Sequence, residues 1–255
     1  MNAREVPDQR AVDLYLELMI SSLTDLLYDN ANTVSLDNVA FQRAIREDGR
    51  DWPARAHTMI GVKRLRNIRY CAEEVLKADI PGDFMETGVW RGGATIFMRA
   101  LLAAYGRSDK RVWVADSFAG LPKPDEGTYP PDRGDQHHTQ TVLAASLQTV
   151  KENFARYGLL DDQVVFLEGW FRDTLPSCAV EKLSLLRLDG DMYESTILAL
   201  ESLYPRLAPG GFLIVDDYGA VPACKQAVHD YRQKADIAEG VIEIDWAGVY
   251  WRKRA

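Results

Sequence analysis

The chain has 255 residues, of which 47% are hydrophobic and 27% are charged, and its formal net charge is −8 at pH 7. This length suits one decorated domain with a buried core, and the acidic balance argues against a nucleic-acid partner, which would require a basic face. No apolar stretch has transmembrane length, no signal peptide is recognisable, and three scattered cysteines predict free thiols, so we expect a cytoplasmic protein.

Two helices are predicted before the first strand. Leucines at roughly helical spacing predict a helix over residues 11–28, which is a candidate interface with a second subunit. Another helix is predicted from about 59 to 77, and its basic stretch Lys63-Arg64-Leu65-Arg66 is interpreted as a solvated face. We expect residues 1–80 to be an N-terminal helical extension or lid that forms one compact unit with residues 81–255.

From residue 81 onwards, strand and helix patterns alternate. Such βα units predict a parallel sheet that is covered by helices on both faces. Pro209-Gly210-Gly211 is expected to end the helix before the fifth strand, and residues 241–251 predict a closing hairpin. The strands are predicted over 84–88, 111–115, 164–167, 183–188 and 212–215.

A long segment interrupts this alternation directly after the second strand. Residues 117–141 are rich in Gly, Pro, Asp and Lys and contain His137-His138. A loop of this length inside a compact domain is typical of a functional lid, and this segment is called the lid below. His138, with His137 beside it, is a candidate for a substrate contact or a second base.

The turn after the first strand reads Glu86-Thr87-Gly88-Val89-Trp90-Arg91-Gly92-Gly93. Glycines there allow a ligand to approach the backbone, but the spacing is not GxGxxG. The Glu86 carboxylate disfavours a phosphate ligand and suits a zwitterionic one such as S-adenosylmethionine. Asp116, at the tip of the next strand, is expected to bind ribose hydroxyls, although such a residue can also cap a helix. Trp170 is either a cover for the adenine or a core aromatic.

Two acidic clusters each follow an apolar strand. They are Asp189-Gly190-Asp191 and Asp216-Asp217, and a helix-length segment separates them. Neighbouring parallel strands would bring these carboxylates together, where they would repel one another unless a cation were present. Oxygen ligands without His or Cys favour Mg²⁺ or Ca²⁺. Asp189, Asp216 and Asp217 are therefore candidate ligands and Asp191 a candidate base, although an Asp-Asp pair can also cap the following helix.

Several long strings resemble the macrocin O-methyltransferase family, whose members methylate deoxysugar hydroxyls in macrolide and aminocoumarin antibiotic pathways. The resemblance runs from about residue 10 to the C-terminus. It implies an α/β class I methyltransferase fold with a Rossmann-like, mostly parallel seven-stranded sheet, an antiparallel C-terminal hairpin and the N-terminal extension. It also implies S-adenosylmethionine, Mg²⁺ and a homodimer or higher homo-oligomer. The strings are AHTMIGVKRLRNI, PGDFMETGVWRGGATIF, RVWVADSFAGLP, NFARYGLLDDQVVFLEGWFRDTLP, LRLDGDMYEST and PGGFLIVDDYG.

The matching motifs imply roles for individual residues. Asp189, Asp216 and Asp217 would bind the metal, and Asp191 would deprotonate the sugar hydroxyl. The implied cofactor-binding residues are Glu86, Thr87, Gly88, Gly92 and Gly93 around the methionine, Asp116 and Ser117 at the ribose, Gly169 and Trp170 at the adenine, and Thr58 and Met59 on the N-terminal side. The lid departs from the family pattern at His137-His138-Thr139-Gln140, which leaves the acceptor open.

The sequence therefore predicts a Mg²⁺-dependent O-methyltransferase acting on a sugar hydroxyl of a glycosylated small molecule, with no nucleic-acid or membrane partner. A phenol or catechol acceptor is the alternative within the same chemistry, because Mg²⁺ chelates vicinal hydroxyls generally. A nucleotide-dependent oxidoreductase is disfavoured by the glycine pattern. A non-catalytic binding protein is disfavoured by the retained aspartates.

Overall fold

A seven-stranded sheet organises the computed structural model, which describes residues 8–28 and 41–254. The strand order is β3-β2-β1-β4-β5-β7-β6; β1 to β5 are parallel, and β7 is antiparallel to both β5 and β6. This confirms the predicted class of sheet with its antiparallel C-terminal strands. The strands are β1 Asp83–Thr87, β2 Val112–Asp116, β3 Val164–Glu168, β4 Leu183–Leu188, β5 Leu207–Val215, β6 Ile242–Glu243 and β7 Val249–Arg252.

Helices cover both faces of this sheet, as an alternating pattern of parallel strands requires. Successive residues of β1 point to opposite faces of the sheet. Phe84 belongs to the hydrophobic core that includes α1, α3, α4 and α5, whereas Met85 belongs to the core that includes α7 and α8. The helices are α1 Gln9–Leu23, α2 Arg43–Glu47, α3 Val62–Lys77, α4 Gly93–Ala104, α5 Leu147–Arg156, α6 Phe171–Thr174, α7 Tyr193–Leu203 and α8 Pro222–Lys234.

The predicted N-terminal helices are present but shorter than expected. Helix α1 ends at Leu23, not at residue 28, and it packs on α4 and α3 through fully buried Leu16 and Leu23. Helix α3 begins at Val62. Among the described residues, no helix combines the length and apolar character needed to cross a bilayer. Cys71, Cys178 and Cys224 are free and buried.

Pro209-Gly210-Gly211 does not end a helix, contrary to the expectation from sequence. Helix α7 already ends at Leu203, and the triplet lies inside β5. Its backbone pairs with the chain end, because Gly210 N–H donates to Lys253 O and Lys253 N–H donates to Gly211 O, both at 2.8 Å. Pairing with the segment that follows β7 therefore places the triplet inside a strand and not at a helix end.

Candidate active site

A cavity of about 430 Å³ opens at the carboxyl ends of β1, β2, β4 and β5, where parallel α/β sheets bind their ligands. Most of the residues singled out from the sequence meet there, but Thr87, Gly92, Gly93, Gly169 and His138 do not line it. Those that line it are Thr58, Met59, Glu86, Gly88, Asp116, Ser117, Trp170, Asp189, Asp191, Asp216 and Asp217.

The glycines of the β1–α4 turn allow close approaches between backbone segments. Gly88 has a φ of +82°, and a Cβ there would lie 1.5 Å from the Asp189 carbonyl oxygen. Gly93 N–H donates to the His57 carbonyl at 2.8 Å, and a Cβ on Gly93 would collide with that oxygen. Gly93 thus hydrogen-bonds the segment that brings Thr58 and Met59 to the cavity, but Gly93 itself does not line the cavity.

Glu86 places a partly unsatisfied carboxylate at the cavity. The residue is 1% exposed, its Oε1 accepts a hydrogen bond from Arg187 Nη1, and its Oε2 is buried without a partner. Burial raises the pKa of Glu86 to about 8 even though the Arg187 charge opposes that shift. Buried polar atoms require partners, so Oε2 suits a cationic donor such as the ammonium group of a bound amino acid.

Asp116 lies at the tip of β2, as predicted, and organises the surrounding turns. Its Oδ2 accepts from Val89 N–H and its Oδ1 accepts from Phe118 N–H, each at 2.7 Å. Burial raises the pKa of this carboxyl, and the backbone N–H groups partly offset the shift. Trp170 lies at the cavity wall and belongs to neither core cluster. The structure therefore favours the ligand-facing interpretation of Trp170 over the core one.

The two acidic clusters converge beside Glu86. Asp189, Asp216 and Asp217 each present an oxygen, and these oxygens lie within 4.8 Å of one another. Asp191 N–H donates to Asp217 Oδ2 at 3.1 Å, which connects the two clusters directly. Burial and the neighbouring carboxylates raise the pKa of Asp189 to about 7 and that of Asp217 well above its usual range. This all-oxygen, negatively charged donor set fits a hard divalent cation such as Mg²⁺.

Two buried arginines hold this cluster in place. Arg187 of β4 donates to Glu86, to Asp216 and, at 2.8 Å, to Asp189. Arg64 of α3 donates to Asp216 and, at 3.0 Å, to Asp245. The prediction that the basic stretch of this helix is a solvated face was therefore wrong for Arg64, which is 6% exposed. A lone arginine in the apolar string Leu183–Leu188 was the available signal for Arg187, because buried charges need partners.

The lid places one of its two histidines at the cavity. His137 lines the cavity, whereas His138 does not, and His138 Nδ1 is buried without a partner. His138 was the candidate named from the sequence. Two adjacent histidines in an irregular loop give no signal for which of them faces the ligand. The structure brings His137, not His138, to the same cavity as Asp191.

A family model and three related proteins all identify this chain as similar to O-methyltransferases. The family model described as macrocin-O-methyltransferase matches residues 9–253. A tetracenomycin-C rhamnosyl 4′-O-methyltransferase of Streptomyces olivaceus is 54% identical over 96% of this chain and 94% of its own. Mycinamicin III 3″-O-methyltransferase of Micromonospora griseorubida is 50% identical over 96% and 98%. Demethyldecarbamoylnovobiocin O-methyltransferase of Streptomyces niveus is 51% identical over 94% and 93%.

One solved structure of similar sequence agrees with this result. The structure of the O-methyltransferase NovP superposes with a TM-score of 0.92 at 50% identity, over 96% of this chain and 100% of that chain. The described fold is thus the one adopted by a solved O-methyltransferase.

Proposed function

We propose that this chain, which belongs to the macrocin-O-methyltransferase family, transfers the methyl group of S-adenosylmethionine to a sugar hydroxyl of a glycosylated antibiotic precursor. It is an O-methyltransferase, and its relatives are named for sugar-bearing acceptors of three different scaffolds. The observation that carries the proposal is the meeting of three candidate metal ligands, a candidate base and the free Glu86 oxygen in one cavity.

The candidate cofactor residues supply complementary groups to each part of the donor molecule. Glu86 Oε2 would accept from the methionine ammonium, and the Asp116 carboxylate at the tip of β2 would accept from the ribose hydroxyls. Trp170 would offer an aromatic face to the adenine, and Thr58 and Met59, which also line the cavity, would contact the cofactor from the N-terminal side. Such fixed contacts contribute to rate by orienting the methyl group towards the acceptor.

The acidic cluster would bind and activate the acceptor hydroxyl. Asp189, Asp216 and Asp217 would hold Mg²⁺, which when bound supplies positive charge that lowers the pKa of a hydroxyl. Asp191 would take the proton, since burial raises the pKa of its carboxyl to about 6 while the His137 charge opposes the shift. Arg187 and Arg64 position Asp216 from two directions.

The test is methylation of a defined panel. Purified protein is incubated with S-adenosylmethionine and each of mycinamicin III, demethyldecarbamoylnovobiocin, the rhamnosyl tetracenomycin and a simple catechol, with Mg²⁺ or with EDTA. We expect sugar methylation only with Mg²⁺, detected by mass spectrometry. Methylation that is indifferent to EDTA would contradict the metal role, and methylation of catechol alone would contradict the sugar acceptor.

The acidic cluster also predicts how stability depends on pH without metal. The folded state raises the pKa of Glu86 to about 8 and that of Asp189 to about 7, mainly through burial. In the unfolded chain both carboxyl groups have a pKa of about 4. The stability that they contribute is therefore present below about pH 4 and is lost as the pH rises through 7 to 8. We therefore expect the melting temperature of EDTA-treated protein to fall by roughly 5 °C between pH 5 and pH 8.

Mg²⁺ at matched ionic strength should reverse this loss, because binding to the folded state adds stability. Thermal-shift curves at each pH measure both effects. A melting temperature that Mg²⁺ leaves unchanged at every pH would contradict a cation site here.

We also infer a cytoplasmic homodimer or higher homo-oligomer without nucleic-acid or membrane partners. The outer face of α1 exposes Leu14 by 66% and Leu18 by 56%, and a second copy of the chain would cover such apolar surface. The net charge of −8 opposes binding to nucleic acid. Light scattering of the purified protein measures the oligomeric state.

A further inference from the structure

The lid holds one imidazole ring in a defined orientation. His137 Nδ1 lies 2.6 Å from Asp135 Oδ2, and His137 N–H donates to Asp135 Oδ1 at 2.8 Å. This double contact makes Nδ1 the donor to the carboxylate and leaves Nε2 as the ring nitrogen available to a ligand. His137 lines the cavity, whereas Asp135 does not, so the ring is the member of this pair that a ligand in the cavity can contact.

The lid itself is fixed relative to the acidic cluster. Asp132 is 2% exposed, and its two carboxylate oxygens accept from Tyr193 N–H at 2.7 Å and from Glu194 N–H at 2.9 Å. These are the first N–H groups of α7, whose own N-cap residue, Met192, makes no side-chain hydrogen bond. Asp132 in the lid thus caps the N-terminus of α7. This helix begins two residues after Asp191.

Charge connects His137 with the candidate base. Burial alone would lower the pKa of His137, but the charges of Asp191 and Asp135 and the Asp135 hydrogen bond outweigh it, so the pKa is raised above 6.5. With Nδ1 donating to Asp135, Nε2 accepts from a hydroxyl when the ring is neutral and donates to an oxygen when the ring is protonated. In both states Nε2 can form a hydrogen bond with a sugar hydroxyl.

We propose that His137 hydrogen-bonds through Nε2 to the acceptor sugar, at the oxygen next to the hydroxyl that Asp191 deprotonates, and that Asp135 is the positioning residue for this contact. The inference rests on the proposed function, because it assigns the lid a part in recognising that sugar. His137 and Asp191 line the same cavity, so a sugar whose hydroxyl reaches Asp191 occupies the space that His137 also borders.

The test compares adjacent histidines with the same substitution. His137→Asn keeps an amide donor near Nδ1 for Asp135 but removes Nε2, and His138→Asn makes the same change at a residue outside the cavity. For His137→Asn we expect kcat/KM for the acceptor to fall about 10- to 100-fold, as for loss of one partner of a buried hydrogen bond. The KM for S-adenosylmethionine should not change in this variant. His138→Asn should show a smaller fall in kcat/KM for the acceptor.

Asp135→Asn supplies the test of positioning. It should raise the KM for the acceptor several-fold while leaving the affinity for S-adenosylhomocysteine, measured by calorimetry, as in the wild type. The acceptor is the member of the panel above that the wild type methylates best, and its binding to the S-adenosylhomocysteine complex is also measured directly.

The outcomes separate the inference from the function on which it rests. A His137→Asn variant with wild-type kinetics, a loss as large in His138→Asn, or a loss confined to S-adenosylmethionine would each overturn the role of His137. A wild-type protein that methylates no sugar acceptor would overturn the proposed function itself, and the role of His137 with it.

Discussion

Asp217→Asn is expected to lower kcat/KM for the acceptor about 10³-fold or more, because a metal-organised transition state is worth several kcal/mol. The change is close to isosteric, and an amide oxygen can still accept from Asp191 N–H, which Asp217 Oδ2 now does at 3.1 Å. It removes one negative charge from the three candidate ligands. Steady-state kinetics and Mn²⁺ binding by electron paramagnetic resonance measure the two expected losses.

Asp217 is the most direct of the three candidate ligands to test. Both oxygens of Asp216 are hydrogen-bonded by Arg64 and Arg187, so a change there would leave two buried cations without that partner. An exposed carboxylate, Asp162, serves as the matched control for lost charge, and Asp162→Asn should retain full activity. If Asp217→Asn lost S-adenosylmethionine binding together with turnover, the residue would belong to the cofactor site or the fold, not to a metal.

Arg187→Met is expected to lower the free energy of unfolding by about 3–5 kcal/mol, because removal of one partner of a buried charge pair leaves the others uncompensated. Arg187 is 1% exposed and donates to Glu86, Asp189 and Asp216. Methionine retains much of the side-chain volume, so loss of charge and hydrogen bonds dominates. Urea denaturation in EDTA measures the change without any contribution from metal.

The control is an arginine in an exposed pair. Arg66 contacts Glu17 at 2.8 Å, with side chains 60% and 44% exposed, and Arg66→Met should cost less than about 1 kcal/mol. Equal losses for the two variants would contradict a structural role for the buried network. An Arg187→Met protein that keeps wild-type stability would show that the carboxylates stay neutral in the folded state without a counter-charge.

The sequence predicts the sheet and the acidic clusters because both depend on local patterns. Apolar strands such as Leu183–Leu188 end at carboxylates, and parallel strand ends must meet at one edge. The pairing of Gly210 and Gly211 with the chain end could not be predicted, because it joins segments distant in sequence. Arg64 was misassigned for the same reason, since its partners Asp216 and Asp245 are remote along the chain.

The choice between adjacent histidines illustrates a finer limit. Helical or strand periodicity assigns a side chain to a face, but residues 137–139 form a single 3₁₀ turn in an irregular loop. Asp135 lies two residues before His137, and this short-range carboxylate–imidazole pairing is the signal that could have identified the ring that lines the cavity.

The cap that the lid supplies to α7 has a consequence for protein engineering. Acceptor range would commonly be altered by transplanting the lid of one relative into another as a cassette. Here the same segment holds the first turn of α7 through Asp132, so a transplanted lid without that carboxylate would leave one buried and one part-buried N–H group without this acceptor, close in sequence to Asp191. Chimeras of this scaffold should therefore keep Asp132 and Asp135 from the recipient and vary only the residues between and around them.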